Sequence, residues 1–226
     1  MPLSRRGLLL DLDDTLYDYE PANSQALGAL FGDVARHTGL SEESIRLRWG
    51  QARSQVKQRL GRRGSAHSRL LYLHELLHAA NKREHLPKVR GWDRLYWDTL
   101  VRQAPLRDGA LDLLRSWRLQ GGKIAIVTNL TLEVQLFKLE HYRLAPLIDA
   151  LAVSEEVAEE KPEPALFELG MARIGLSPQD CLMVGDDPQC DGGGAERLGI
   201  PYYRTISTHN PERGLTLRQL TQELGL

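Results

Sequence analysis

Two carboxylates, two positions apart, follow the first apolar run of the chain. Leu8, Leu9 and Leu10 lead directly into the segment that contains Asp11 and Asp13. Carboxylates beside an apolar core repel each other and lose hydration, so a cation, commonly a divalent metal, must compensate them. The alternative is a turn that only ends a strand, since Asp is common in such turns. The pattern indicates either a metal-dependent site or an Asp-rich turn.

Three later segments place further polar groups beside apolar runs or in a stiff turn. They contribute Thr128 and Asn129 after one run, Lys161 in a proline-containing turn, and Asp186, Asp187 and Asp191 after another run. Oxygen ligands suit Mg²⁺, a lysine offsets phosphoryl charge, and one carboxylate stays free to attack. If these segments meet, they form a site for a magnesium-bound phosphate.

These four segments resemble the four motifs of the haloacid dehalogenase superfamily, and they occur in the family's order. The matching positions are Asp11, Asp13 and Thr15, then Thr128, then Lys161 with Pro162, and finally Gly185, Asp186 and Asp191. Any one motif is weak, whereas four in order are specific. The resemblance implies a magnesium-dependent phosphatase that hydrolyses a small phosphorylated metabolite through an aspartyl-phosphate intermediate.

The resemblance also implies a role for each matched residue. Asp11 is expected to attack phosphorus, and Asp13 to act first as general acid and then as general base. The residues expected to bind the phosphoryl group are Thr128, Asn129 and Lys161, of which Thr128 and Lys161 also count as catalytic. The expected metal ligands are Asp11, Asp186 and the backbone carbonyl of Asp13.

Other residues of the motifs are expected to support these groups. Asp191 and Thr15 are placed behind the metal ligands, where Asp191 orients Lys161 or water beside the metal. Asp187 either assists metal binding or faces solvent, and Asp14 is expected to face solvent in the turn. Cys190 lies close by, but with no histidine near it in sequence it is interpreted as a bystander.

Competing functions remain open at this point. A dehalogenase would leave Asp13 and the later aspartates without a purpose, because displacing halide from carbon needs neither a metal nor an acid. A phosphomutase fits the same set of residues, and a phosphonatase would need a lysine that forms a Schiff base. A phospho-acceptor or scaffold protein is the alternative from outside enzymes.

From Leu106 onward the chain alternates between helical patterns and short apolar runs, which favours a doubly wound parallel α/β sheet. Strands are predicted near 123–128, 151–154, 181–184 and 202–205, and helices near 108–119, 132–142, 164–174 and 215–224. The resemblance implies a five-stranded, Rossmann-like sheet in the order 5-4-1-2-3. That order places the ends of strands one and four side by side.

Residues 17–105 read as almost entirely helical and form a predicted helical-bundle cap, inserted into a core domain of residues 1–16 and 106–226. The cap segment contains 15 Lys/Arg and 9 Asp/Glu, a net charge of +6, and the remainder carries −7. This basic segment either covers the site and attracts an anionic substrate, or its arginines simply keep the outer faces of the helices in contact with water. Candidate specificity residues in it are Tyr17, Tyr19, Arg59, Arg62 and Arg63.

The composition is that of an ordinary globular protein, with 42% hydrophobic and 26% charged residues among 226. No apolar stretch approaches the ~20 residues of a membrane span, and no signal peptide is visible. Two cysteines offer no disulfide framework, so we expect a cytoplasmic protein with reduced thiols. The expected partner is a small phosphate ester, with neither nucleic acid nor membrane, in a monomer or homodimer.

Overall fold

The computed structural model describes residues 5–206 and 213–226, so parts of the predicted core domain lie outside it. Its centre is a five-stranded parallel sheet. In chain order the strands are β1 (Gly7–Leu10), β2 (Lys123–Thr128), β3 (Ala150–Val153), β4 (Cys181–Gly185) and β5 (Tyr202–Arg204). They lie in the order β3-β2-β1-β4-β5, which is the predicted order read from the other edge. The predicted sheet is therefore confirmed.

The central strand β1 is buried on both faces, as its unbroken apolar sequence requires. Leu8 and Leu10 pack into the core on one side of the sheet, whereas Leu9 packs into a second core on the other side. All three side chains are fully buried. Because β2 and β4 flank β1 in parallel register, the carboxyl ends of these three strands lie at one edge of the sheet.

Helices cover both faces of the sheet. They are α5 (Ala110–Leu119), α6 (Leu132–His141), α7 (Ser154–Val157), α8 (Pro164–Ile174), α9 (Gly193–Arg197) and α10 (Leu217–Glu223). The predicted helix at 164–174 has these bounds, whereas α5 begins two residues later than predicted. Its N-terminal boundary is Gly109, whose φ of 83° is left-handed and cannot continue a helix.

Between β1 and β2 lies the helical insert, which comprises α1 (Tyr19–Thr38), α2 (Glu42–Leu60), α3 (Arg69–Ala79) and α4 (Val89–Gln103). Gly39 ends α1 in a left-handed conformation. Ser41 caps α2 by accepting a hydrogen bond from the backbone N–H of Ser44 at 3.2 Å. Among the described residues, every helix is too short or too polar to cross a lipid bilayer.

The two connections to the helical insert meet each other. Tyr17 and Leu106, at the predicted limits of the cap, form an isolated antiparallel bridge. The apolar side of the insert joins the core that also contains Leu8 and Leu10, so insert and sheet share buried surface. The division of the chain into a core and a separately moving cap stays a prediction.

The turn after α2 docks closely on the sheet domain. A Cβ atom placed on Gly64 would lie 2.5 Å from the backbone oxygen of Leu130 and 2.9 Å from the backbone nitrogen of Glu155. Backbone atoms cannot yield as a flexible side chain does. Position 64 therefore requires glycine for this contact between the insert and the sheet domain.

Gly64→Ala is expected to lower the free energy of unfolding by about 1–3 kcal/mol, the usual cost of overpacking a tight contact. Urea unfolding measures it. Gly50→Ala in α2 is the matched control, because among the described residues nothing lies within 4 Å of a Cβ placed there. That control is expected to gain about 0.5–1 kcal/mol, since alanine favours helix over glycine. A Gly64→Ala variant as stable as the parent protein would contradict the close approach.

Candidate active site

The four predicted segments meet at the carboxyl edge of the sheet, around a cavity of about 490 Å³. The predicted site residues that line it are Asp11, Asp13, Thr128, Asn129, Lys161, Asp186, Asp187 and Asp191. Thr15 lies behind them and is fully buried. Parallel strands bring these positions together because their carboxyl ends share one edge of the sheet.

Lys161 joins two aspartates at the centre of the site. Its Nζ lies 2.6 Å from Asp11 Oδ1 and 2.6 Å from Asp191 Oδ1. All three residues are buried. Although burial opposes the charge, the two carboxylates raise the pKa of Lys161, so the lysine stays protonated. Burial raises the pKa of Asp11, and the neighbouring ammonium opposes that rise.

Three carboxylates form a cluster that can hold a metal ion. Oxygens of Asp11, Asp186 and Asp191 all lie within 4.8 Å of one another. Thr15 Oγ1 connects two of them, at 3.0 Å from Asp11 Oδ2 and 3.3 Å from Asp186 Oδ1. Such an all-oxygen donor set fits a hard divalent cation such as Mg²⁺. Asp191 thus stands within the carboxylate cluster and not only behind it.

The end of β4 is shaped for Asp191. A Cβ atom on Gly185 would lie 2.1 Å from Asp191 Oδ2, so only glycine leaves room for this carboxyl. The backbone N–H of Asp187 donates to the same oxygen at 3.1 Å. Burial, partly opposed by Lys161, raises the pKa of Asp191 to about 7. Asp191 is therefore held under the cluster by backbone as well as by the lysine.

Asp13 points away from the carboxylate cluster toward helix α6. Its two carboxylate oxygens lie 2.6 and 2.8 Å from Nζ of Lys138, whose side chain is fully buried. Tyr17 donates its hydroxyl to the same carboxylate. Burial alone would raise the pKa of Asp13, but Lys138 and these hydrogen bonds together lower it. Asp13 is therefore ionised in this state of the protein.

Thr128 and Asn129 are tied to their neighbours by side-chain hydrogen bonds. Gln135 Nε2 on α6 donates to Thr128 Oγ1 at 2.8 Å. The side-chain oxygen of Asn129 accepts from the backbone N–H of Lys161 at 2.9 Å. The second and third motifs are thus connected directly, which fixes Lys161 relative to the end of β2.

One aspartate differs from what the sequence suggested. The prediction that Asp14 faces solvent was wrong: it is buried, accepts from the backbone N–H of Tyr19 at 3.2 Å and has Oδ1 3.4 Å from a guanidinium nitrogen of Arg107. Asp187 lines the cavity and also caps the turn after β4 by accepting from the backbone N–H groups of Gln189 and Cys190, while its part in metal binding stays a prediction. Burial would raise the pKa of Asp187, but these two donors lower it.

Cys190 lines the cavity, and burial followed by the charge of Asp187 raises the pKa of its thiol to about 12. A thiol that stays protonated is a poor nucleophile. This agrees with its interpretation as a bystander.

The helical insert supplies the wall opposite the aspartates. Its lining residues are Tyr19, Arg53, His67, Arg69, Tyr72 and Trp97. Two of these, Arg53 and Arg69, are arginines, so the cationic excess of the insert does reach the site. Of the five suggested specificity residues, only Tyr19 lines the cavity; Arg62 instead donates to the backbone oxygen of Lys161 at 2.8 Å.

Gln135 and Lys138 contact Asp13 but were not predicted from the sequence as site residues. Both are fully buried on the inner side of α6, whereas Leu132 and Leu136 on the outer side are exposed. The available signal was position: the helix follows directly after Thr128 and Asn129, and two polar residues three apart share one helical face. Hydrophobicity alone predicts that the side of α6 with Gln135 and Lys138 faces solvent.

Known proteins with similar sequences support the same type of site. Residues 6–199 match the family of haloacid dehalogenase-like hydrolases. The chain belongs to this family. It is therefore a hydrolase, and the matched range includes all four segments that converge on the cavity.

Individual relatives cover nearly the whole chain. A ribulose-1,5-bisphosphate 5-phosphatase of Halopiger xanaduensis is 33% identical over 94% of this chain and 92% of its own length. A glyceraldehyde 3-phosphate phosphatase of Methanopyrus kandleri is 29% identical over 88% of this chain and 83% of its own. A 2-haloacid dehalogenase structure from Pseudomonas syringae shares the fold with a TM-score of 0.76 at 20% identity, covering 98% of both chains.

Proposed function

We propose that this haloacid dehalogenase-like hydrolase is a magnesium-dependent phosphatase that releases phosphate from a small phosphorylated metabolite through an aspartyl-phosphate intermediate. One observation carries the proposal. Asp11, Lys161, Asp186 and Asp191 surround one end of a single cavity, with carboxylates and an ammonium in contact. This arrangement provides a nucleophile, a cation site and a phosphoryl-binding charge at one place.

In the first step a carboxylate oxygen of Asp11 attacks phosphorus, and the bond between phosphorus and the ester oxygen breaks. Asp13 gives its proton to the departing oxygen, so the metabolite leaves as an alcohol. Thr128, the backbone N–H of Asn129 and Lys161 stabilise the negative charge on the phosphoryl oxygens. Asp11 now carries the phosphoryl group.

In the second step water attacks the aspartyl-phosphate and loses a proton to Asp13. The bond between Asp11 and phosphorus breaks, which frees inorganic phosphate and restores the carboxylate. Lys138 and Tyr17 hold Asp13 in the ionised form that accepts this proton. This proton is the one that Asp13 donates to the leaving oxygen in the next turnover, and an Asp13 that has lost it must first take up a proton from water.

Mg²⁺ would be held by Asp11 and Asp186, with Asp191 beside them and the backbone carbonyl of Asp13 as a further ligand. When bound, it offsets the charge of the phosphoryl group and of the clustered carboxylates. The raised pKa values of Asp186 and Asp191 support this assignment. In both, burial and neighbouring carboxylates disfavour the charged form that a cation would stabilise.

The substrate that the site supports best is a small phosphorylated polyhydroxy compound. Relatives that span most of the chain are named for phosphatases of a sugar bisphosphate and of a three-carbon sugar phosphate. A cavity of about 490 Å³ accommodates molecules of this size. The basic and hydroxyl side chains of the insert wall match the anionic and hydroxyl groups of such a substrate.

A screen over sugar phosphates, nucleotides and cofactor phosphates tests the proposal. Free phosphate is the expected product with at least one sugar phosphate. An isomeric phosphate ester would indicate a phosphomutase, and chloride released from a haloacid would indicate a dehalogenase. A stable phosphoprotein without phosphate release would favour a phospho-acceptor. Each of these three results would overturn the proposed phosphatase.

Magnesium binding is expected to weaken as the solution becomes acidic. Burial and the charges of Asp11 and Asp14 raise the pKa of Asp186 to about 7. Because the pKa of Asp186 is higher in the folded than in the unfolded protein, the metal-free fold keeps the proton on this carboxyl. The protonated carboxyl stabilises the fold at low pH, and this stabilisation is lost as the pH rises through about 7. Mg²⁺ must displace this proton, so its affinity should be about tenfold lower near pH 6 than near pH 8.

The rise in melting temperature caused by added MgCl₂ measures this effect, since a ligand that binds only the folded state stabilises it. A larger rise at the alkaline pH is expected. In Asp186→Asn, which cannot titrate, the rise should be small at both pH values. Equal rises at both pH values in the parent protein would contradict the proposed displacement of protons.

A further inference from the structure

Lys138 is a fully buried lysine whose side chain contacts Asp13, the residue that the proposed mechanism uses as acid and base. It lies on α6, 125 positions from Asp13, and its Nζ contacts both oxygens of that carboxylate at 2.6 and 2.8 Å. A lysine is rarely buried completely unless it is paired. The contact therefore serves Asp13 or the packing around it.

The carboxyl of Asp13 is held from several directions at once. Tyr17 donates to Oδ1, the oxygen that is nearest to Lys138, and Gln135 Nε2 lies 3.4 Å from Oδ2. The same Gln135 donates to Thr128 Oγ1 at 2.8 Å. These donors leave the carboxyl one orientation, and they tie it to the residue expected to bind the phosphoryl group.

Lys138 is itself held by the helical insert. Its Nζ lies 5.1 Å from the ring centroid of Trp97 on α4, within the range of a cation–π interaction. Trp97 also lines the cavity. The ammonium thus lies between an aromatic wall from the insert and the carboxyl of Asp13, and contacts both.

We propose that Lys138 is a positioning residue for the reaction: it aims the Asp13 carboxyl at the leaving oxygen, and Trp97 of the insert keeps Lys138 in place. The proposal rests on the proposed phosphatase function. It follows from geometry, because proton transfer requires the carboxyl within hydrogen-bond reach of the leaving oxygen, and a small misplacement is costly. Without the lysine, the carboxyl keeps only the Tyr17 hydrogen bond and the longer contact with Gln135 Nε2, so its orientation is less fixed.

The test compares two substrates that differ in their need for a proton. Glycerol phosphate has a poor leaving group that requires protonation, whereas para-nitrophenyl phosphate has a good one that leaves without it. Release of glycerol and of nitrophenol is measured in the first turnover by rapid quench, with enzyme in excess. In Lys138→Met, glycerol release should fall about 10- to 100-fold, and nitrophenol release should stay within about threefold.

Lys88→Met is the matched control, since it removes one positive charge at an exposed position of the insert. It should change neither rate. In an Asp13→Asn background, Lys138→Met should cause no further loss of glycerol release, because a residue that acts through Asp13 has nothing left to position. A further loss as large as that in the parent protein would overturn the proposal.

Equal losses with both substrates would also overturn it, because they would indicate a general structural lesion, and so would unchanged rates with both. If Lys138→Met fails to fold, Lys138→Gln, which keeps a neutral donor, is read by the same criteria. A parent protein that releases phosphate from neither substrate and from no sugar phosphate of the screen would instead reject the phosphatase function, so the two failures are distinguishable.

Trp97→Leu tests the second half of the proposal without touching Asp13. Removing the ring should slow glycerol release about 3- to 10-fold more than it slows nitrophenol release, since Lys138 loses one of its two aromatic neighbours. Any loss that comes only from the changed cavity wall affects both substrates alike. Unchanged glycerol release would overturn the role assigned to Trp97.

Discussion

Asp11→Asn is expected to abolish phosphate release, with a loss on the order of 10⁴-fold or more, as found when an enzyme loses its nucleophile. An amide oxygen is too weak a nucleophile to attack phosphorus. The fold should survive, because Lys161 keeps its ion pair with Asp191 at 2.6 Å. Loss of turnover without loss of structure would assign the chemistry to this carboxylate.

The measurement has two parts. Phosphate release is followed with the best substrate of the screen. The mass of acid-quenched protein is then measured by mass spectrometry to detect a covalently bound phosphoryl group. The parent protein should carry the group during turnover and the variant should not. Asp112→Asn, at an exposed position of α5, is the control and should keep full activity. An Asp11→Asn variant that still releases phosphate at the parent rate would rule out the aspartyl-phosphate route.

Removing divalent metal is expected to have an effect of nearly the same size. The cluster of Asp11, Asp186 and Asp191 places negative charges within 4.8 Å of one another, and a phosphate substrate adds more. Lys161 alone does not balance this charge. Offsetting it with a cation is worth several kcal/mol in the transition state, so chelation should lower activity about 10³-fold or more.

The assay uses protein treated with EDTA, followed by titration with MgCl₂. Activity should return with Mg²⁺ and return poorly with Ca²⁺, whose larger coordination number and longer bonds suit this compact site less well. Asp186→Asn should require roughly tenfold more Mg²⁺ or worse for half-maximal activity. Full activity in metal-free protein would refute the assignment of Mg²⁺ while leaving the nucleophile test intact.

The sheet and the main site could be predicted because both depend on short local patterns. Leu8–Leu10 reads as a buried strand from three residues, and the aspartates that follow must lie at the strand's carboxyl end. In a parallel sheet that edge also receives the end of β2, with Thr128, and of β4, with Asp186. Once the strand order is confirmed, the meeting of these residues follows from topology.

Asp14 shows where local reasoning stops. A polar residue in an Asp-rich turn is expected to face water, but here φ is 61° and Arg107 approaches from 93 positions away. That arginine also bonds to Asp18, so one cation organises the turn between the site and the insert. The sequence around Asp14 does not indicate that Arg107 will be its partner.

Helix α6 also buries polar residues that hydrophobicity alone places outside. Its leucines Leu132 and Leu136 are exposed, and its Gln135 and Lys138 are buried. Hydrophobic periodicity places lysine outside because leaving water is costly for an ammonium. The cost is offset by Asp13, whose own burial requires a cation, and this mutual compensation exists only after the two segments have met.

The amino-acid sequence by itself determined the buried strands and the residues at their ends, because strand burial and motif spacing are properties of adjacent residues. The order of the strands came from the family that the motifs resemble, and the structure confirms it. Only the tertiary structure decided that Asp191 joins the carboxylate cluster, that Arg62 binds the Lys161 carbonyl and that Lys138 holds Asp13. Each of these three contacts joins residues that are far apart in sequence. The energy of such a contact depends on the burial and the neighbouring charges of both residues, which exist only in the folded protein.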